Sequence, residues 1–176
     1  GETAFDLSGK GLLRSGAYPV LSLQGTIGRL SYNHYDYHDI TVDVDYRKGG
    51  FAGNVSINDP HLALTTKGEF NLHSSTPYIK AEASVRHFEP HALALTSKYA
   101  GTVFQGNLQA DFQGHNIENM EGLISLNDFC MSTSEENYTL GPICFKATNE
   151  PGKRNLSLHS DFLHAEMEGD FRLGTL

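Results

Sequence analysis

Apolar and polar residues alternate with a period of two through most of this chain. In the segment ITVDVDY, residues 40–46, the even positions are apolar and the odd positions are polar. The same alternation recurs at residues 54–58, 79–86, 107–113, 155–159 and 165–173. A period of two is typical of antiparallel strands with one apolar face and one solvated face. The pattern therefore predicts an all-β fold.

Clusters of Gly, Asn, Asp and Pro separate the alternating segments and predict the turns between strands. They delimit eleven strands, at residues 3–9, 20–31, 36–47, 51–58, 61–72, 78–87, 102–113, 121–131, 138–148, 153–160 and 163–173. The segment PHALALTSKY, residues 90–99, predicts one short helix, because Pro suits the first turn and Ala and Leu are good helix formers. A change of parity predicts a β-bulge near Asn127 and Asp128.

The strands fall into two groups on either side of the predicted helix. We expect a first β-groove unit with a preceding strand over residues 1–87, a crossing segment over residues 88–100, and a second β-groove unit over residues 101–176. The chain begins without Met and without a signal peptide, so we expect it to be a piece of a larger protein.

The charge of the chain argues against two classes of partner. Lys and Arg number 13 against 21 Asp and Glu, which gives a net charge of −8. A nucleic-acid-binding protein needs a basic face, and so does a protein that binds anionic headgroups through a polybasic patch. We therefore expect no nucleic-acid partner.

Motifs for catalysis are missing from the sequence. It contains no nucleophile elbow, no zinc-protease motif, no phosphate-binding loop and no dinucleotide fingerprint. The nine His residues are densest in HYDYHD, residues 34–39, and in HFEPH, residues 87–91, and neither cluster has the spacing of a metal motif. We expect solvated turn residues there, no enzyme activity, no cofactor and no metal site.

Two segments carry a family resemblance. GNLQADFQGHNIENMEG, residues 106–122, and LSLHSDF followed by AEMEGDF, residues 156–162 and 165–171, resemble the central part of TamB-type proteins from Bacteroides-like bacteria. The resemblance is clearest over residues 88–176. It implies a periplasmic protein, anchored in the inner membrane by a segment outside this chain, whose long antiparallel sheet curls into an open trough, or β-taco, as in AsmA-like and bridge-like lipid transfer proteins.

The resemblance also implies a function and partners. Proteins of this kind are thought to carry phospholipids between the inner and outer membranes along an apolar groove. They are linked to outer-membrane protein assembly and to an outer-membrane partner of the barrel-assembly family, which is TamA-like. Neighbouring repeats of the same chain would pair with the first and last strands of this piece.

A trough requires that one apolar sheet face stays free of protein. Each acyl CH₂ buried there contributes about 0.8 kcal/mol, so lipid can bind without specific polar contacts. The expected groove-lining residues are the apolar members of the alternating segments: Ile40, Val42, Val44, Val55, Ile57, Leu62, Leu64, Phe70, Leu72, Ile79, Ala81, Ala83, Val85, Leu108, Ala110, Phe112, Leu156, Leu158, Ala165, Met167 and Phe171.

A closed fold remains an alternative to the trough. A β-sandwich or barrel covers its apolar faces by packing them against each other. The corresponding function is a secreted β-sandwich or solenoid module that binds glycan or protein, and Tyr32, Tyr35 and Tyr37 form the densest aromatic cluster for such a site.

Cys130 and Cys144 flank a predicted hairpin centred near Asn137. Both have the polar parity of their strands, so they are expected on one face and near each other. The two possibilities are a disulfide, which an oxidising compartment permits, and a pair of free thiols.

Overall fold

The computed structural model describes residues 5–14, 20–47, 49–71, 75–115, 119–150 and 153–169. These residues form twelve β-strands: β1 (Phe5–Arg14), β2 (Val20–Tyr32), β3 (Tyr35–Arg47), β4 (Gly50–Asp59), β5 (Leu62–Asn71), β6 (Tyr78–Phe88), β7 (Val103–Gln113), β8 (Glu121–Ser132), β9 (Asn137–Leu140), β10 (Ile143–Glu150), β11 (Lys153–His159) and β12 (His164–Glu168).

All twelve strands belong to one open antiparallel sheet. Strands β1 to β8 lie side by side in chain order, followed by β10, β11 and β12, while β9 pairs with β8 beyond the end of β10. The sheet does not close, and no second sheet packs against it among the described residues. The predicted all-β open sheet is confirmed, and the β-sandwich alternative is wrong.

The surface area of the chain reflects this single layer. The accessible area is 11837 Å², whereas a compact monomer of 19.3 kDa has about 8500 Å². Five hydrophobic side chains are buried in the part of the chain whose burial is described: Tyr37, Ile40, Val42, Leu93 and Ala147.

Most predicted strand positions agree with the structure to within a few residues, with one informative exception. The strand expected at residues 138–148 is divided, because Gly141 and Pro142 interrupt it. Proline has no backbone N–H to donate to a ladder. The two halves then pair with different parts of β8, residues 129–132 with β9 and residues 122–126 with β10.

The predicted short helix is wrong. Residues 90–94 form turns, in which the Leu93 N–H donates to the Glu89 carbonyl (3.1 Å) and the Ala94 N–H donates to the His91 carbonyl (3.1 Å). Ala94 then has a φ of 56°, in the left-handed region, where an L-residue does not continue a right-handed helix. Of the good helix formers in this segment, Leu93 serves another purpose, which is to cover the sheet.

The crossing segment does not interrupt the hydrogen-bonded sheet. Strands β6 and β7 pair directly from Tyr78 and Gln113 to Phe88 and Phe104, so the sheet is continuous from one predicted unit to the other. The segment is instead a long connection that folds back over one end of the apolar face.

Three β-bulges lie near that same end of the sheet. The pairing register shifts at Gly28 in β2, at Arg86 in β6 and at Asp128 in β8. Asp39 and Asp128 have φ values of 51° and 52°. The bulge predicted near Asn127 and Asp128 is confirmed. Because bulges increase the local twist, they curl the sheet beneath the crossing segment.

The crossing segment is held on the sheet by one buried leucine and one side-chain hydrogen bond. Leu93 is fully buried and packs with Tyr37, Ile40 and Val42. The amide of Asn33, in the β2–β3 turn, donates to the Ala94 carbonyl at 2.6 Å. This small core is the most enclosed part of the described fold.

Asp59 organises the corner beside this core. Its carboxylate is 4% exposed and accepts hydrogen bonds from the Tyr35 hydroxyl (2.6 Å), the His38 N–H (3.0 Å) and the His61 N–H (2.9 Å). Burial, together with the bond to Asp59, raises the pKa of Tyr35 above its usual value, so this hydroxyl stays a donor. The carboxylate thereby fixes β3 against the β4–β5 turn.

We expect Asp59→Ala to lower the free energy of unfolding by about 2–4 kcal/mol, because it leaves three donors without their acceptor. Urea unfolding followed by circular dichroism measures this change. Asp111→Ala is the control, since Asp111 is 67% exposed in an ion pair with Lys80 and should cost about 1 kcal/mol or less. Equal losses in the two variants would contradict the role given to Asp59.

Candidate functional site

The candidate site is the apolar face of the sheet. Residues paired directly across antiparallel strands point to the same face, so the pairing register shows which side chains share it. Apart from Leu72 and Phe171, which lie outside the described residues, the predicted groove-lining residues all fall on one face. The face predicted from alternation is therefore a real surface of the fold.

One apolar row crosses the sheet from β2 to β12. Its members are paired in sequence: Leu21, Tyr46, Phe51, Phe70, Ile79, Phe112, Gly122, Ala147, Leu156 and Met167. The rings of Tyr46 and Phe51 are 4.9 Å apart, and those of Phe51 and Phe70 are 5.1 Å apart. Tyr46, Phe51 and Phe70 form the aromatic part of this row, which we call the aromatic row. Phe51 and Phe70 are 41% and 39% exposed, so the aromatic row is open to solvent.

The next row on the same face is made of small residues at its centre. Gly53, Gly68, Ala81 and Ala110 are paired across β4 to β7. A Cβ at Gly53 would lie 2.1 Å from the Asp43 carbonyl oxygen, and one at Gly68 would lie 2.5 Å from that of Lys80, so neither position accepts a larger residue. Because these side chains are short, the row is lower than the rows of larger side chains beside it, and we call it the channel of small residues; it runs perpendicular to the strands.

Part of the predicted groove is covered by the protein itself. Ile40 and Val42 were expected to line the groove, but they are 5% and 9% exposed beneath the crossing segment. Val55, Ile57 and Leu62, which were also expected in the groove, pack against this core. Ile40 and Val42 belong to the core because Leu93 folds over them, although Leu93 is 53 and 51 positions away from them in sequence. The open part of the face lies toward the aromatic row.

The opposite face of the sheet is polar and contains grooves. Two adjacent grooves of about 520 Å³ and 420 Å³ follow the central strands. Their lining includes the polar residues Asn54, Lys67, Glu82 and Gln109, backbone or side-chain atoms of Ala81, Ala83 and Leu108, and no aromatic side chain. Ion pairs also lie on this face, such as Lys80 with Asp111 at 3.4 Å. The two faces of the sheet thus differ sharply in chemistry.

The two cysteines are free thiols in this structure. Cys130 lies opposite Thr139 of β9, whereas Cys144 lies opposite Ser125, five positions further along β8. At about 3.3 Å per residue, this offset separates them by roughly 16 Å, too far for a disulfide. The expected proximity fails because Gly141 and Pro142 break the hairpin. Their predicted parity is correct, since both face the polar side.

Three titratable side chains meet where β6 ends. His61 Nδ1 lies 3.0 Å and His87 Nε2 lies 2.7 Å from the same atom, Glu89 Oε1. The hydrogen bond from His61, with that from His87, lowers the pKa of Glu89. Within the predicted cluster at residues 87–91, His87 and Glu89 thus have partners, and His91 is an exposed turn residue. His61 is the member that sequence spacing missed.

Other residues of the apolar face were also missed. Phe51 and Gly53 share the parity of Val55, so the alternation could have identified them. Ile124, Leu126 and Phe145 face the same side, in strands whose alternation is shortened by the bulge at Asp128 and by the break at Pro142. Leu93 gave no signal, because its role depends on where the crossing segment folds.

Comparison of the chain with models of known protein families, with curated proteins and with solved structures finds no match. Among the described residues, no helix is long and apolar enough to cross a membrane.

Proposed function

We propose that this chain binds phospholipid acyl chains on its open apolar face, as one piece of a longer lipid-carrying trough. The observation that carries the proposal is the apolar row from Leu21 to Met167, most of whose large side chains remain exposed, with Phe112 and Leu156 half-buried. The end residues Leu21 and Met167 are both more than 40% exposed. An exposed apolar surface of this kind needs an apolar partner.

The size of the face supports a lipid rather than a small ligand. Eleven neighbouring strands at about 4.8 Å spacing extend over roughly 48 Å. A floor about 15 Å wide would then offer roughly 700 Å² of apolar surface, more than the 300–600 Å² patch typical of a soluble monomer. A flexible hydrocarbon chain can cover such a long strip without a matching shape.

The channel of small residues supports a direction for the bound chain. It runs across β4 to β7, with Phe51, Phe70 and Ile79 on one side and Val55, Ala83 and Leu108 on the other. A hydrocarbon chain lying along Gly53, Gly68, Ala81 and Ala110 would contact both rows. Lipid would therefore lie perpendicular to the strands, along the length of the trough.

The wider setting of the proposal comes from the TamB resemblance. The resemblance implies a periplasmic location and an inner-membrane anchor in the parent protein. It also implies transport between the two membranes and a TamA-like outer-membrane partner. Within the described residues, the outer edges of β1 and β12 pair with no other strand, which suits pairing with neighbouring repeats. None of these functions requires a catalytic residue.

Glycan binding, the alternative function, has less support. Glycan sites usually present exposed aromatic rings, and the polar grooves are lined by none. Of the three tyrosines that were candidates for such a site, Tyr35 and Tyr37 pack within or against the core, and Tyr32 is exposed.

The test of the proposal is whether phospholipid accompanies the folded chain. The purified chain is passed through size-exclusion chromatography, and its organic extract is examined by mass spectrometry. We expect phospholipid at a constant ratio to protein, and uptake of a fluorescent phospholipid from vesicles by a lipid-stripped sample. A chain that contains no phospholipid and takes up none, including one whose apolar face is covered in a stable dimer, would overturn the proposal.

A further inference from the structure

We propose that His61, His87 and Glu89 form a zinc-binding site at the point where the crossing segment leaves the sheet. The inference is independent of lipid binding, because none of the three residues belongs to the apolar row from Leu21 to Met167.

The topology brings the three side chains together on rigid backbone. His61 is at the β4–β5 turn, and Glu89 follows β6 directly, where its N–H donates to the His61 carbonyl at 3.0 Å. Residues directly opposite each other on antiparallel strands have Cβ atoms about 4.5–5.5 Å apart. His87 is two positions before Glu89 and therefore points to the same face.

The donor atoms match what zinc requires. Two imidazole nitrogens and one carboxylate oxygen, His61 Nδ1, His87 Nε2 and Glu89 Oε1, all lie within 4.8 Å of one another. Zinc binds such atoms at about 2.0–2.2 Å, so tetrahedral ligands are about 3.3 Å apart. The present separations from Glu89 Oε1, 3.0 Å and 2.7 Å, need to widen by only a few tenths of an ångström.

The exposure of the three side chains leaves space for a fourth ligand. The side chains of His61, His87 and Glu89 are 40%, 33% and 22% exposed, so the site is partly enclosed but reaches solvent. Three protein ligands and one water are a common zinc arrangement. Asp59 is not the fourth ligand, because its oxygens already accept bonds from Tyr35, His38 and His61.

A bound ion would fasten the crossing segment to the sheet. Glu89 precedes the buried Pro90, and its carbonyl accepts the hydrogen bond of the Leu93 N–H. Zinc would link Glu89, which follows β6, to His61, which lies in the β4–β5 turn. It would thereby hold Leu93 over the apolar core, so binding should stabilise the fold.

The experiment uses the whole chain, stripped with a chelator and titrated with zinc chloride in a calorimeter. We expect one zinc ion per chain. A free zinc concentration about 100 times the dissociation constant should raise the melting temperature by roughly 5–10 °C. Magnesium chloride at the same concentration should cause no rise, because magnesium prefers oxygen ligands.

Two variants remove ligands. Glu89→Gln keeps the size of the side chain and an oxygen that can accept hydrogen bonds, and His87→Ala removes one imidazole. Each should weaken zinc binding by at least about tenfold, since even loss of an outer-shell partner commonly costs 10–100-fold. If His87→Ala does not fold, Glu89→Gln decides the result.

Two controls test the position of the site. His91→Ala removes an exposed imidazole from the same segment and should leave zinc affinity unchanged. His159→Ala with His164→Ala removes another close pair, whose Nδ1 atoms are 3.1 Å apart, and should also leave it unchanged. The proposal is overturned if the chain binds no zinc, if Glu89→Gln binds as tightly as the natural chain, or if the His159 and His164 double variant abolishes binding.

Discussion

Leu93→Ala is expected to lower the free energy of unfolding by about 2–5 kcal/mol, the usual cost of emptying a leucine site in a core. Leu93 is the one side chain of the crossing segment that is 0% exposed, and it packs on Tyr37, Ile40 and Val42. The open sheet has few other buried side chains among the described residues, so little else can compensate for the cavity. Urea unfolding followed by circular dichroism measures the loss.

Leu95→Ala is the matched control for this prediction. Leu95 belongs to the same segment and is 47% exposed, so its truncation should change stability by about 0.5 kcal/mol or less. Hydrogen exchange adds a local measurement, because the Leu93 N–H is bonded to the Glu89 carbonyl and should exchange faster in Leu93→Ala. Equal effects of the two substitutions would show that the crossing segment does not depend on Leu93.

Ala83→Asp is expected to reduce phospholipid binding by at least about tenfold. Removing a carboxylate from water costs several kcal/mol, and each 1.4 kcal/mol corresponds to a tenfold change in affinity. Ala83 is half-buried in the middle of the apolar face, paired with Thr66 on one side and Leu108 on the other. A charge there would lie beneath any bound hydrocarbon chain.

Ser84→Asp places the same charge on the polar face of the same strand. Ser84 pairs with Thr65 and Asn107, whose side chains share the polar face, so the charge there should leave lipid binding unchanged. Both variants should keep the fold, with stability changes of about 1 kcal/mol. Binding is measured as uptake of a fluorescent phospholipid from vesicles. If Ala83→Asp unfolds the chain while Ser84→Asp does not, this face is covered by protein rather than lipid.

The local features of the fold were predictable from particular residues. The alternation in ITVDVDY placed Val42 and Val44 on one face and Asp43 and Asp45 on the other, and the register confirms this separation. The parity change near Asp128 identified a true bulge. Such features follow from the period of a strand, which depends on immediate neighbours in sequence.

The failures share a different physical cause. The helix expected at residues 90–99 rested on local propensity, but packing of Leu93 on β3 and the left-handed Ala94 produce turns. Tertiary contacts commonly override a weak propensity. The distance between Cys130 and Cys144 depended on how β9 and β10 align on β8. The break at Gly141 and Pro142 changed that alignment.

The amino-acid sequence by itself determined that the chain forms β-strands, where they turn, and which side chains share the apolar face, because side-chain direction alternates along every strand. Only the tertiary structure decided that the sheet stays open, that Leu93 covers Ile40 and Val42, and that His61 meets His87 and Glu89. Those outcomes require residues distant in the chain to pair in one particular register, and the free energy of that pairing belongs to the whole sheet rather than to any segment.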